Sequence, residues 1–310
     1  MVRFAVLLAA VTPGLLVLAY GVIKTRGSWS NEALWTAFFL GGLGIVAVIP
    51  LEFAIQWLAG LAALAPPAKA GVLAIFEAGI PEEALKYLIL VGVAERHVDA
   101  WRRQDIIVLA LAVSLGFATV ENFFAVLAPA HWQIVAALRA VSAVPGHGVD
   151  GLAMGALLTA SRVMPTRRTM WAVLAFVIPA MMHAAYDFPL LVSKSVGEAA
   201  AGPLLKVLWP MILLTSSIVS IWLCNWILPA AQRADRLSGR DLRTNAPASL
   251  AVVAGCALLL IAPALSAFIF LNGGTRSAVT AISFAIFPSA LAVDLIWTGI
   301  RRNAAPAFTS

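Results

Sequence analysis

Four short stretches hold the side chains of this chain that are equipped for chemistry. Glu82, Glu83 and Lys86 stand in GIPEEALKYLIL (79–90), Glu121 and Asn122 in FATVEN (117–122), His147 in RAVSAVPGHGVDGLAMG (139–155), and His183 and Asp187 in HAAYD (183–187). Carboxylates and imidazoles exchange protons near neutral pH, and mixed histidine and carboxylate sets also hold zinc-like cations. Their setting is what makes them informative. Of the fifteen acidic residues in the chain, eight lie inside apolar runs: Glu52, Glu77, Glu82, Glu83, Glu121, Asp150, Asp187 and Asp294. A charge at the centre of a bilayer costs at least ~2.5–3.5 kcal/mol, so such residues need partners or a polar cavity, and they mark functional sites more often than packing.

The elements that carry these residues follow from composition. With 62% hydrophobic and 12% charged residues and a mean hydropathy of +0.94, the chain reads as an all-α, polytopic membrane protein. About 20 residues of helix cross a bilayer core, and nine runs are candidates: 4–23, 33–60, 71–93, 106–130, 134–163, 170–192, 204–228, 250–273 and 277–300. The latter half of the second run and the long 134–163 run leave room for a bent or interfacial piece. The connections place four lysines and arginines on the N-terminal side and fourteen on the opposite side. This asymmetry predicts an outside N-terminus and a cytoplasmic C-terminus in the plasma (inner) membrane. The basic balance is thereby explained by topology and anionic lipid, with no nucleic-acid partner implied. We expect one membrane domain over 1–310, a catalytic core at 71–192, and accessory spans at 193–310 with a cytoplasmic loop at 231–248. The first run is expected to be a retained helix, since no convincing cleavage site follows it. Oligomeric state is not encoded in any pattern recognised in the sequence.

Helical rise brings the four stretches to similar depth. At about 1.5 Å per residue, Glu82 lies about 16 Å from the outer end of span three and Glu121 about 22 Å from the inner end of span four. His147 and His183 each come out about 20 Å into their spans, so all four fall near the middle of a core about 30 Å thick. Glu82 with Lys86, Phe117 with Glu121, and His183 with Asp187 are i,i+4 pairs that share a face. Glu83 is rotated by about 100° from Glu82, from which we expect that the two glutamates do not aim at one point. Pro81, Pro145 and Pro179 lie beside these positions, and each removes a backbone donor and can open its helix toward a wet cavity.

Together, EEALK (82–86), FATVEN, RAVSAVPGHGVDGLAMG and HAAYD resemble the PrsW family of intramembrane proteases, a distant relative of the CAAX prenyl endopeptidase and bacteriocin-processing group. The resemblance covers roughly 79–187. It implies hydrolysis of peptide bonds in or near the membrane, with a membrane-anchored protein such as a single-span anti-sigma factor as substrate. Carried over by position, the catalytic set is Glu82, Glu83, Glu121, Asn122, His147, His183 and Asp187. Glu121 stands where the CAAX group would have histidine, so roles in that group do not transfer simply.

Amide hydrolysis requires an activated water, a stabilised oxyanion and a protonated leaving amine. Two mechanisms fit these residues. In one, some three of Glu121, His147, His183 and Asp187 hold a zinc-like ion (Zn2+), and Glu82 or Glu83 takes the proton from water. In the other, a desolvated glutamate activates water without metal, and His183 and Asn122 donate to the oxyanion. Lys86, Phe117 and Arg139 are expected to support the site. Lys86 would neutralise one glutamate, whereas Arg139, near the outer end of its span, can snorkel to the headgroups. Glu77 could line the same cavity, while Glu52, Asp150 and Asp294 suit packing or hydration. His97 and His131 fall in connections, and Cys224 and Cys256 are expected as buried small hydrophobes. Ser142 and Ser161 have no base pattern beside them, which argues against a serine nucleophile. The alternative function is a proton- or ion-coupled transporter, which also uses intramembrane acids and broken helices, although the halves of the chain show no repeat.

Overall fold

Within hydrocarbon, every backbone N–H and C=O must find its partner inside the segment, so apolar runs of this length fold as helices. The computed structural model describes residues 2–25, 30–62, 64–96, 102–127, 132–196, 222–223, 225–238, 251–253, 255–256 and 289–300. The described residues form helices and contain no strand. In chain order they give α1 (Val2–Lys24), α2 (Asn31–Leu61), α3 (Pro66–Leu73), a π-helical turn (Ala74–Gly79), α4 (Ile80–Glu95) and α5 (Arg103–Leu127). The series continues with α6 (Trp132–Val141), α7 (Ala143–Val163), a 3-10 turn (Pro165–Arg167) and α8 (Arg168–Val196).

Among the described residues four helices are long and apolar enough to cross a membrane: Val6–Lys24, Asn31–Gly60, Arg103–Leu127 and Pro165–Ser195. These correspond to the first, second, fourth and sixth expected spans. The second is one continuous helix, started by Ser30, whose hydroxyl accepts the Ala33 N–H at 3.0 Å. The third and fifth expected spans are assembled from shorter pieces, and most of the last three lie outside the described residues. So do His97, His131, Cys224 and nearly all of the loop after residue 238. Cys256, expected to be buried, is exposed. In an apolar run this is no anomaly, because lipid can cover a thiol that protein does not.

The breaks in spans three and five have local causes. Pro81 cannot supply the amide that would continue the ladder, and the preceding turn widens so that Ile80 N–H reaches Ile75 O. Gly79 completes this π turn against α8. A Cβ there would lie 2.6 Å from Ala180 O, so only glycine permits the approach. In span five the helix ends at Val141, one turn before Pro145, and restarts at Ala143. Ser142 covers the break by donating from Oγ to Leu138 O at 2.8 Å and by accepting the Gly146 N–H at 2.8 Å.

At the centre of the bundle is α5, whose residues from Gln104 to Thr119 are all buried. It packs on α1, α2, α4, α6 and α7. Small residues bring the backbones together, as is common between membrane helices. Gly41 of α2 lies against the Val113 carbonyl, and Gly116 of α5 against that of Phe38. Gly151 and Gly155 do the same for α7, where a Cβ would meet Ala110 O at 2.8 Å and Ile107 Cα at 2.7 Å. This core holds α4, α5 and α7 in fixed register, while the π turn and α4 fasten α8. At the other end of α1, Lys24 Nζ bonds Asp294 Oδ2 at 2.8 Å, Asn225 Oδ1 at 2.7 Å and Thr298 Oγ1 at 3.0 Å. Tyr20 donates to the same Asp294 oxygen at 2.7 Å. Asp235 accepts the free N–H groups of Arg103 and Gln104 at the start of α5, at 3.2 and 3.4 Å.

Candidate active site

The first two turns of α4 supply Glu82, Glu83 and Lys86; α5 supplies Phe117 and Glu121; α7 supplies His147 and Asp150; and α8 supplies His183, Tyr186 and Asp187. The π turn and Gly79 set the position of α4 against α8, and so of Glu83 against His183. Glu83 and Lys86 are fully buried, and Glu82, His147 and His183 keep 5–6% exposure.

Lys86 sits at the centre of this group. Its ammonium lies 2.7 Å from Glu83 Oε1, 3.2 Å from Glu82 Oε2 and 3.0 Å from His147 Nδ1. The Phe117 ring lies under it, 4.2 Å from Nζ to the ring centroid. The two glutamates thus do reach one point, contrary to the expectation from their 100° separation. Lys86 is i+4 from one and i+3 from the other, so it lies between them, and two flexible carboxylates bend toward the same cation.

The histidines face each other with ring centroids 5.1 Å apart. His147 Nε2 lies 2.8 Å from Glu121 Oε2, and His183 Nδ1 lies 2.9 Å from Glu83 Oε1. A carboxylate only accepts and an ammonium only donates, so the two contacts of His147 fix its tautomer. His147 carries its hydrogen on Nε2 and turns the Nδ1 lone pair to Lys86. His183 has carboxylates at both nitrogens: Nδ1 donates to Glu83 Oε1, and Nε2 lies 3.4 Å from Asp187 Oδ2 and 3.8 Å from Glu82 Oε2. Each imidazole is held by a carboxylate on one nitrogen, and its second nitrogen, facing Lys86 in His147 and Asp187 with Glu82 in His183, is the one a metal ion would take.

The donors fit a divalent ion. One ligand atom from each of Glu82, Glu83, His147 and His183 can be chosen so that all lie within 4.8 Å of one another. Imidazole nitrogens with carboxylate oxygens are the donor set of hydrolytic zinc-type sites. Glu83 Oε2 is buried with no hydrogen-bond partner, an acceptor that a nearby positive ion would satisfy. The acids are also in excess: Glu82, Glu83, Glu121, Asp150 and Asp187 outnumber the basic side chains Lys86, Arg139, His147 and His183 among the described residues of the cluster. Glu121 and Asp187 lie outside the tightest group and flank the histidines.

A cavity of about 880 Å³ opens on the histidine side. His147, His183, Glu121, Asp150 and Asp187 line it together with apolar residues such as Val135, Leu138, Val149, Met182 and Leu190. Arg139 does not snorkel outward. Its Nη2 lies 2.7 Å from Glu121 Oε1 and its Nε donates to Asn122 Oδ1 at 3.0 Å, because a carboxylate within reach holds a guanidinium more firmly than headgroups do. Asn122 directs its Nδ2 to the carbonyls of Ala9 and Ala10 at 3.4 and 3.0 Å, so its hydrogens serve to bind α5 to α1. Asp150, expected to serve packing or hydration, is buried in the cavity wall one turn after His147. Glu77 is instead hydrogen-bonded by Gln56 and is not among the residues lining this cavity. Sequence reasoning passed over Tyr186, which lines the cavity and donates to Ser142 Oγ at 2.8 Å. Its place beside Asp187 within HAAYD was the available signal.

The family model described as PrsW family intramembrane metalloprotease matches residues 30–218, well over half of the chain and every acidic, basic and histidine side chain of the site. The chain belongs to the PrsW family. Protease PrsW of Bacillus subtilis (strain 168) is 32% identical over 186 residues, covering 60% of this chain and 82% of that protein. Protease PrsW of Halalkalibacterium halodurans is 31% identical over 207 residues, covering 66% and 93%. Protease PrsW of Shouchella clausii is 30% identical over 209 residues, covering 66% and 92%. No solved structure matches the chain. As a PrsW-family protein it is an intramembrane protease, a helical membrane protein whose substrate is protein, and the transporter alternative gives way.

Proposed function

We propose that this protease cleaves membrane-anchored, single-span proteins, such as an anti-sigma factor, at a site inside the bundle opposite His147 and His183. The observation that carries the reading is the pair of imidazoles on α7 and α8, each fixed by a carboxylate on one nitrogen and each turning the other toward the same buried, acid-rich centre. In this reading His147 Nδ1, His183 Nε2 and Glu83 Oε2 would hold the divalent ion, with Asp187 beside them, and the bound ion would supply Lewis-acid polarisation. Glu121 orients His147, and Glu83 orients His183. Glu82 accepts the proton of the attacking water and returns it to the leaving amine. It suits that part because its Lys86 contact is the longer of the two, it retains some exposure, and it stands beside His183 Nε2 without binding it. The apolar walls of the cavity accept an extended substrate segment and exclude bulk water, strengthening each of these electrostatic contacts.

The wider arrangement belongs to the same proposal: nine spans in the plasma membrane, an outside N-terminus, a cytoplasmic C-terminus, a catalytic core at 71–192 and accessory spans at 193–310. The test compares membrane proteins of cells carrying wild-type enzyme or Glu82→Gln, reading new N-termini. The expected result is a set of neo-termini near or within single spans that vanish in the variant, while purified Glu82→Gln retains its metal. Termini restricted to soluble proteins, or undiminished in the variant, would overturn it.

A further inference from the structure

Lys86 is unusual for a cation in a hydrolytic centre, because it is bonded to groups that a metal would need. We propose that the Lys86 ammonium and the divalent ion are alternative partners of His147 Nδ1, so that Lys86 is a built-in competitor that limits how tightly the enzyme holds its metal. The inference rests on the ligand assignment above. Three observations carry it. Lys86 Nζ lies 3.0 Å from His147 Nδ1, and that nitrogen has a single lone pair, which serves one electrophile at a time. The other imidazole nitrogen is committed to Glu121 at 2.8 Å, so His147 cannot answer by turning its ring without losing that bond. The ammonium is also held by Glu82, Glu83 and the Phe117 face, so it rests among the donors rather than passing through them.

The energetics oppose the two cations. A divalent ion within a few ångströms of an ammonium in a buried, weakly screened site is repelled by it, whereas an ammonium alone offsets part of the charge of the two glutamates. Metal loading therefore requires Lys86 to give up His147, and the protein without metal keeps its acids partly compensated by a residue that is always present. A lysine that merely held the glutamates in place would act oppositely, since its removal would let the carboxylates splay and weaken the metal site.

The test measures Zn2+ affinity of the full chain in nanodiscs, by competition with a chromophoric chelator, for the wild type and Lys86→Met. The proposal expects Zn2+ to bind Lys86→Met at least about tenfold more tightly. It also expects the variant to melt earlier than the wild type in excess chelator and to gain more on adding Zn2+, as ligand linkage requires. Equal or weaker Zn2+ binding by Lys86→Met would overturn the competitor role. If that variant does not fold, Lys86→Gln, which keeps hydrogen-bond donors without the charge, decides on the same criterion. A wild type that binds no Zn2+, Mn2+ or Co2+ would instead sink the ligand assignment, and the two failures are thus distinct.

Discussion

Two of the polar clusters among the described residues are built on different principles. In the clasp at the end of α1, one lysine faces one aspartate at 2.8 Å, and Tyr20, Asn225 and Thr298 complete the bonding of the pair. Charges cancel, and the side chains keep 9% and 19% exposure. In the centre formed by α4, α5, α7 and α8, acids outnumber basic side chains, two imidazoles lie ring to ring, and Glu83 Oε2 has no hydrogen bond. A neutral, satisfied cluster ties helices together. An acid-rich, incompletely satisfied one leaves room for a proton or a metal ion, so the imbalance itself separates the reactive cluster from the structural one.

The strongest way to break that contrast is to remove an imagined ligand. His183→Ala should lose essentially all cleavage, a fall of more than about 10⁴-fold, because it removes both a metal donor and the neighbour of the general base. Stoichiometric metal should disappear from the purified variant as well, by elemental analysis. Retention of full metal content in a His147→Ala, His183→Ala double variant would place the ion elsewhere. The next effect in size is Glu121→Gln, which keeps the shape but weakens the grip on His147 Nε2 and on Arg139. A loss of about 10- to 100-fold in metal affinity or cleavage rate is expected for a residue that orients a ligand. Unchanged kinetics would make Glu121 part of the cavity wall only.

How much of this could be read in the amino-acid order depends on range. Depth and face follow from helical rise and periodicity, so the meeting of α4, α5, α7 and α8 near one level was legible, as were the His183–Asp187 and Glu82–Lys86 pairs. What side chains do with their remaining freedom was not. Nothing local to Arg139 says that it turns inward to Glu121, because that carboxylate lies on another helix. Nor does the rotation of Glu83 relative to Glu82 reveal that Lys86 draws both together. The π turn was hinted at by Gly79 and Pro81, but its need for glycine depends on Ala180 O of α8, a contact 101 positions away in the chain. Interatomic competition of this kind, between an ammonium and a lone pair, is decided by tertiary packing.

The smallest effect belongs to the clasp, and it is the one that sharpens the comparison most. Asp294→Asn removes the charge while retaining an oxygen for Tyr20 and Lys24, and Lys24 keeps Asn225 and Thr298. Hydrogen bonds between membrane helices are worth about 0.6 kcal/mol on average and at most about 1.7. Breaking a charged pair raises the penalty, and partial exposure lowers it again. A fall of about 1–2 kcal/mol in unfolding free energy is expected, with cleavage of a model single-span substrate within about twofold of wild type. Denaturation in mixed micelles reads the first and a gel assay the second. A large loss of activity at unchanged stability would show that the clasp communicates with the active site, and the division between a binding cluster and a reactive one would fail.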